Sequence, residues 1–169
     1  MRVYLVIVLL LSLHILAGCS GRPEIPKRGP VTNTVSFNGP ILSTTINSNC
    51  LDVGDTVIIT IEVMNPYTTP ITLTANPLLD FTLNFPLDET LVRWSETPAY
   101  PTIKPVIPPG ERHTYTWEWT PSRIYERHTF LIRTYATFQT PKQTTPVALT
   151  SREDFGVGIY RQFLCHKLR

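Results

Sequence analysis

Apolar and polar side chains alternate with a period of two along much of the chain. The clearest example is Thr56 to Met64, where one face carries only β-branched apolar residues: Val57, Ile59, Ile61 and Val63. A period of two is the repeat of a β-strand, because successive side chains point to opposite sides of a sheet. The segment is therefore predicted to be a strand with one face buried.

A turn is predicted directly after this strand. The segment from Asn65 to Pro70 opens on an Asn-Pro step and ends on a second proline, and both are turn signals. The period of two resumes at Ile71, Leu73 and Ala75. We expect these two strands to pair as a hairpin.

Further strand-like segments follow, separated by Pro, Asp and Gly. They are Phe81 to Phe85, Leu91 to Trp94, Arg112 to Trp119, Phe130 to Phe138, Val147 to Thr150 and Phe155 to Phe163. No segment after Cys19 keeps a helical apolar stripe over about ten residues, and the sixteen prolines of the chain oppose helices.

Roughly seven to nine short strands at turn-punctuated intervals predict an all-β fold, an antiparallel immunoglobulin-like sandwich of two sheets. A closed barrel is the structural alternative. The C-terminal segment from Arg161 to Arg169 stays open between a short helix and the end of the last strand.

Residues 1–18 are predicted to be an export signal. Met1-Arg2 supplies a positive start, and an almost unbroken apolar run extends from Val3 to Ile15. A helix that crosses a bilayer needs about 20 apolar residues, so the run is too short to span. The small pair Ala17-Gly18 that follows is typical of a cleaved signal peptide.

The residues Leu16-Ala17-Gly18-Cys19 resemble the lipobox of bacterial lipoproteins. The resemblance implies that the chain is cut before Cys19 and that this cysteine is diacylated, by chains such as palmitate. Two acyl chains are enough for stable anchoring. The mature protein is then expected on the extracytoplasmic side of the cell membrane or of an outer membrane. The alternative is an ordinary signal peptide followed by a chance cysteine.

A proline-rich tether is predicted between the anchor and the folded domain. The segment from Ser20 to Asn33 contains three prolines and two glycines and has no apolar periodicity. At about 3.1 Å per residue, an extended tether of this length reaches roughly 40 Å. The chain is thus divided into a signal peptide at residues 1–18, the lipidated cysteine and tether at 19–33, and a β-sandwich domain at 34–169.

The charge balance argues against nucleic acid as a partner. Loss of Arg2 with the signal peptide leaves fourteen Lys and Arg against thirteen Asp and Glu, whereas nucleic-acid binding depends on a basic patch.

With Cys19 lipidated, Cys50 and Cys165 remain in a compartment where thiols tend to be oxidised. We expect them to form a disulfide. Two unpaired cysteines are the alternative, because sequence alone does not show that they come close enough.

The stretch from Thr56 to Thr137 resembles the BsuPI-type domain, which is named for a bacterial proteinase inhibitor. The residues that carry the resemblance are Asn65, Ile71 to Thr74, Asp80-Phe81, Val92 to Ser95, Pro108 to Glu111 and Tyr115 to Trp119. It implies the sandwich fold and raises proteinase inhibition as a function. No residue of this sequence can be matched individually to an inhibitory residue of that family.

The sequence offers no catalytic or metal-binding pattern. His113, His128 and His166, together with Cys165, lack the spacing of zinc sites. A Gly-x-Ser-x-Gly elbow is missing, and Ser95 is expected to cap a turn. The tryptophans at 117 and 119 share a strand face with Tyr115, which favours core packing over a ligand platform. We expect no enzymatic activity, no metal and no cofactor.

The segment from Glu96 to Gly110 is the predicted partner-contacting element. Five prolines in these fifteen residues exclude a central strand, and a loop of this length is uncommon without a role. Its aromatic, aliphatic and cationic side chains are Tyr100, Ile103, Lys104, Val106 and Ile107. The alternative is that they fold back and cover an open end of the sandwich.

These features favour a non-catalytic, membrane-anchored lipoprotein that binds a protein or scaffolds a complex in the cell envelope. The alternative function is a BsuPI-like proteinase inhibitor, whose partner would be an exported protease.

Overall fold

The protein folds into strands joined by short loops. The structure, a computed structural model, describes residues 29–37, 39–85, 89–125, 127–141, 143–151 and 155–160. Within these residues the strands are β1 (Val31–Ser36), β2 (Ile41–Ile46), β3 (Cys50–Asp52), β4 (Val57–Met64), β5 (Ile71–Leu73), β6 (Leu79–Asn84), β7 (Thr90–Arg93), β8 (Val106–Ile107), β9 (Arg112–Trp119), β10 (Thr129–Gln139), β11 (Val147–Thr150) and β12 (Gly156–Tyr160). Two short 3-10 turns are present, at Trp94–Glu96 and Arg123–Tyr125.

The strands form two sheets that pack face to face. The first has the order β1-β2-β4-β9, and all its pairs are antiparallel. In the second, the long strand β10 pairs with β6 and β5 as well as with β11 and β12, while β7, β8 and β3 lie further out. The only parallel pair among the described residues joins β12 to β3. The predicted all-β, antiparallel two-sheet sandwich is confirmed.

The predicted hairpin of β4 with β5 is wrong. β4 pairs with β2 and β9 in the first sheet, whereas β5 pairs with β10 and β8 in the second. The turn at residues 65–70 therefore carries the chain across the sandwich. Alternation along a strand shows which of its faces is buried. Pairing β4 with β5 would bury the same face of β4 as its observed pairing with β2 and β9, so the alternation does not identify the partner strand.

The core fills the space between the sheets with the alternating residues of both. The four residues predicted on the buried face of β4 are all fully buried, and from the second sheet Phe81, Leu83, Phe130 and Ile132 meet them. Each such side chain contributes roughly 1.5–3 kcal/mol when it is removed from water. On β9, Tyr115, Trp117 and Trp119 are half-buried against this core, which confirms their predicted packing role.

A buried pair of hydroxyl groups also joins the two sheets. Thr44 of β2 donates from Oγ1 to Oγ1 of Thr134 in β10 at 2.8 Å, and both side chains are fully buried. The bond crosses the interior, where no water replaces it.

Thr44→Val is expected to lower the free energy of unfolding by roughly 1–3 kcal/mol, because the hydroxyl of Thr134 then loses its buried partner. The double variant Thr44→Val/Thr134→Val replaces both hydroxyls with methyl groups of the same shape and should recover most of that loss. Urea unfolding of the single and double variants measures both effects. If the double variant lost as much free energy of unfolding as the two single variants together, the buried hydrogen bond between Thr44 and Thr134 would not be the cause of the loss.

The register defines the two ends of the sandwich. Val31 lies opposite Ile46, Ile46 opposite Ile59, and Ile59 opposite Trp117. We call the end that contains Val31 and Trp119 the tether end, because β1 starts there. The opposite end, which contains Phe37, is the far end.

β1 begins at Val31, three residues before the predicted start of the domain. Its two apolar residues, Val31 and Val35, lie four residues apart on the same face and pack against the core. The end of the predicted tether is therefore part of the first sheet. The predicted signal peptide, the predicted lipidation site Cys19 and the segment 161–169 lie outside the described residues. Among the residues that the structure does describe, no helix has the length and apolar character needed to cross a bilayer.

Candidate functional site

The predicted partner-contacting loop is largely folded into the sandwich. Ile103 and Ile107 are buried in the core, so neither offers surface to a partner in this conformation. Their burial agrees with the alternative in which the loop covers an open side of the sandwich. As expected from its prolines, the segment forms no central strand, and β8 pairs only with β5 among the described residues.

Tyr100 lies half-buried where this loop crosses the second sheet. Its hydroxyl donates to the carbonyl oxygen of Leu79 at 2.8 Å, and its ring packs edge-on against Trp94 with centroids 5.0 Å apart. Burial raises the pKa of Tyr100 above its ordinary value of 10.0, and the negative charge of Asp80 acts in the same direction. The environment therefore favours the neutral phenol, which holds the loop against β6.

The raised pKa predicts a loss of stability in alkali. The stabilising contribution of the neutral Tyr100 is fully present below its unfolded-state pKa and is lost as pH rises through the higher folded-state pKa. Tyr100→Phe should therefore flatten the decline in unfolding free energy between neutral pH and about pH 11. Urea titrations across this range measure the decline. An equally steep decline in Tyr100→Phe and the parent protein would contradict the assignment.

Two of the five predicted contact residues face solvent. Lys104 is exposed, and its backbone amide donates to the hydroxyl of Tyr115 at 3.3 Å. Val106 is 47% exposed. The loop thus offers one cation and one small apolar side chain rather than a continuous five-residue surface.

Ser95 supports a turn, as the sequence predicts. Its backbone amide donates to Oδ1 of Asp80 at 2.9 Å, and its hydroxyl donates to Oδ2 of the same residue at 2.7 Å. Asp80 is only 1% exposed. This pair, which belongs to the residues that resemble the BsuPI-type domain, joins β6 to the 3-10 turn after β7.

Asn65 has a similar structural role at the far end. Its side-chain amide donates to the carbonyl oxygens of Thr69 and Ile107, both at 2.9 Å, while its Oδ1 accepts from the amide of Tyr67 at 2.9 Å. One buried side chain therefore ties the crossing turn to the loop that ends in β8.

The histidines and acids do not gather into a metal site where the structure describes them. Across these residues no group of three or more His, Cys, Asp or Glu side chains is arranged to hold a metal ion. His113 lies 3.9 Å from Glu111 through Nε2 and Oε2. His166 and Cys165 lie outside the described residues.

A groove at the far end was not predicted from the sequence. We call it the edge groove: Phe37, just after β1, forms one side, and residues 143–148, which include the start of β11, form the other. Its volume is about 590 Å³, and none of the lining residues that the structure describes is charged. Phe37 is 56% exposed, which is unusual for a large aromatic side chain.

The strand that leads to this groove lies at the edge of the first sheet. Among the described residues β1 pairs only with β2, and its sequence, VTNTVS, contains neither a charge nor a proline. Natural edge strands are commonly protected by such residues against pairing with another chain. The missing protection is the one sequence signal that points to this edge.

Cys50 of β3 is buried, and its predicted disulfide partner, Cys165, lies outside the described residues. Cys50 stands opposite Gly158 of β12. β12, the last strand of the described residues, therefore lies directly beside the strand that holds Cys50. The pairing stays a prediction.

The fold defines the chain as a β-sandwich protein. No family model matches it, and no curated protein matches it either. It is similar to the crystal structure of the C-terminal domain of wzt, with 12% sequence identity and a TM-score of 0.44, over 83% of this chain and 80% of that chain. A likeness at this level carries no functional argument, since function belongs to a site rather than to a fold.

Proposed function

We propose that the protein is a lipid-anchored, non-catalytic module of the bacterial cell envelope that binds a protein partner through the edge groove. The observation that carries this proposal is the groove itself, a cleft with an exposed aromatic wall and no charge among its described lining residues, at the end of a strand at the edge of the first sheet. Exposed apolar surface beside an edge strand is typical of peptide-binding sites.

The placement of the groove suits an anchored protein. β1 starts at the tether end and runs to the groove, and its six residues span about 20 Å at roughly 3.3 Å per residue. A lipid on Cys19 would attach the domain to the bilayer through the tether that precedes β1. The groove lies at the opposite end of the domain and would be accessible to other envelope proteins.

The chemistry of the groove favours an extended, uncharged peptide segment of the partner. Backbone groups of such a segment can pair with β1, while an apolar side chain packs against Phe37 and the polar walls accept hydrogen bonds. A charged segment would lose hydration without gaining an opposite charge from the described lining residues, none of which is charged.

Site-specific photo-crosslinking in living cells tests the binding site. A photoreactive phenylalanine analogue at position 37 should give a discrete adduct with one envelope protein. The same analogue at position 106, which is also exposed at the far end, is the matched control and should not give that adduct. Ala148→Arg, which narrows the groove, should abolish the adduct at position 37. Adducts of equal yield from both positions would contradict the proposal.

The anchor is tested separately through Cys19. We expect Cys19→Ala to release the protein from the membrane fraction or to block its processing, because the acyl chains have no other attachment site in the lipobox. Mass spectrometry of the parent protein should find no unmodified peptide that spans Gly18-Cys19. A Cys19→Ala protein that is processed and remains membrane-bound would overturn the anchor.

Proteinase inhibition is kept as the second candidate because Lys104 is exposed in a loop stiffened by Pro101 and Pro105. Such a lysine fits the specificity pocket of a trypsin-like protease, which carries an aspartate. Inhibition that is present in the mature protein and lost in Lys104→Ala would support this function. Full protease activity in the presence of the mature protein would exclude this function, and equal inhibition by both proteins would exclude the role of Lys104.

The Cys50–Cys165 disulfide is part of this proposal for an exported protein. Peptide mapping under non-reducing conditions should recover one linked peptide pair that contains both cysteines. Two thiols that are alkylated in the unfolded, unreduced protein would show that the pairing is wrong.

A further inference from the structure

The most exposed large apolar side chain of the described residues is Ile124, at 76%. It occupies the middle of the 3-10 turn Arg123–Tyr125, in the loop that connects β9 to β10. Arg123 and Arg127, one residue before it and three after it, are exposed as well. Ile124 is therefore presented to solvent between two arginines of the sequence.

The turn is held firmly, so Ile124 has no simple route into the core. The ring of the next residue, Tyr125, packs against Phe130 and Trp119 with centroid distances of 5.4 and 5.8 Å. The amide of Tyr125 donates to the carbonyl of Ser122 at 3.1 Å, and that of Arg127 donates to the carbonyl of Ile159 at 2.7 Å. With Tyr125 directed inward, its neighbour is left facing solvent.

The turn lies at the tether end of the sandwich. It begins a few residues after Trp119, which pairs with Val57 in the region where β1 starts. Three inter-strand spacings separate β1 from β9 in this sheet, or about 14 Å at roughly 4.8 Å each. The segment from Cys19 to Pro30 can extend about 37 Å at roughly 3.1 Å per residue. An anchored domain can therefore rest this end on the bilayer.

We propose that the Ile124 turn is a second membrane contact, in which Ile124 enters the interfacial layer of the bilayer that carries the lipidated Cys19. This inference rests on the proposed lipid anchor. Arg123 would reach lipid phosphate groups while its stem stays along the apolar boundary. In the sequence the loop also contains Glu126 and Arg127, so its net charge is small and the apolar insertion contributes most.

The contact does not need high affinity on its own. The anchor keeps the turn close to the lipid surface, and an intramolecular contact of this kind benefits from a high effective concentration. The contact of the Ile124 turn with the bilayer would orient the domain. When the tether end contacts the membrane, the edge groove at the opposite end points away from it. The free tether alone would allow the domain to rotate.

Fluorescence quenching by brominated lipids tests the contact in the full-length lipidated protein. Ile124→Trp and Val106→Trp are compared in vesicles that contain brominated phosphatidylcholine and phosphatidylglycerol, with the parent protein as the baseline for its own tryptophans. Both positions are exposed, so both variants should fold, and circular dichroism checks this. The tryptophan introduced at position 124 should be quenched several-fold more than the one introduced at position 106. Position 106 lies at the far end, because Val106 pairs with Thr72, opposite the end of β10.

The controls separate this inference from the anchor. If the lipidated protein does not float with the vesicles, the anchor fails and the inference fails with it. If the protein floats but the Ile124→Trp variant is quenched no more than the Val106→Trp variant, the anchor stands and the second contact is overturned. Quenching of the Ile124→Trp variant should be stronger in vesicles that contain phosphatidylglycerol than in vesicles without it. Adding Arg123→Gln to this variant should reduce that difference, and an unchanged difference would exclude the role of Arg123.

Discussion

Replacing Asp80 with alanine is expected to lower the free energy of unfolding by roughly 2–4 kcal/mol, because several donors that its buried carboxylate satisfies lose their acceptor together. Its Oδ1 accepts from the amides of Phe81 and Ser95 at 2.8 and 2.9 Å, and its Oδ2 accepts from the hydroxyl of Ser95 at 2.7 Å. The guanidinium of Arg93 lies 4.0 Å away. Alanine leaves these donors without an acceptor in a site that excludes water.

A matched control is available in the same cluster. Glu96 lies 3.6 Å from Arg93, but its side chain is 76% exposed, and an exposed ion pair typically contributes about 0–1 kcal/mol. Glu96→Ala should therefore have little effect. Urea unfolding followed by the fluorescence of the nearby Trp94 measures both variants. Similar midpoints for the two variants would show that Asp80 does not hold β6 to the turn after β7.

Replacing Asn65 with alanine is expected to cost roughly 2–4 kcal/mol, since several buried hydrogen bonds are lost together. Asn65 is fully buried, and its amide bonds to Thr69 and Ile107 are joined by a third, to the carbonyl of Pro108 at 3.1 Å. Without them, the crossing turn and the end of the proline-rich loop lose their common attachment.

Asn47 is the control for this variant because it also bonds to the backbone through its side chain. Its Oδ1 accepts from the amide of Ile58 at 2.8 Å and its Nδ2 donates to the carbonyl of Thr56 at 3.2 Å, but the residue is exposed. Water can replace both bonds, so Asn47→Ala should cost clearly less. Hydrogen exchange should show faster opening around Ile107 in Asn65→Ala only. Equal losses from the two variants would contradict the structural role of Asn65.

Individual strands were predicted well where alternation was strong. The bounds predicted for β9 and β11 agree with the structure, and the buried face of β4 consists of the predicted residues. By contrast, β2 and the start of β1 were not delimited, because their threonines and serines are common in loops as well as on the solvent face of strands.

The candidate sites were less predictable. Proline content correctly excluded a central strand at residues 96–110, but it did not show that Ile103 and Ile107 point into the core. The edge groove was missed because its two walls, Phe37 and residues 143–148, are far apart in the chain. The exposure of Ile124 follows from the packing of its neighbour Tyr125, which no local pattern records.

The sequence by itself determined where strands form and which face of each is apolar, since both follow from side chains two residues apart. It also determined the N-terminal pattern that predicts export and lipidation. The tertiary structure alone decided which strands pair, that the turn after β4 crosses between sheets, and which apolar residues stay in contact with solvent. The physical reason is that backbone hydrogen bonds between strands are nearly independent of side-chain identity, so partners are selected by how the whole core packs.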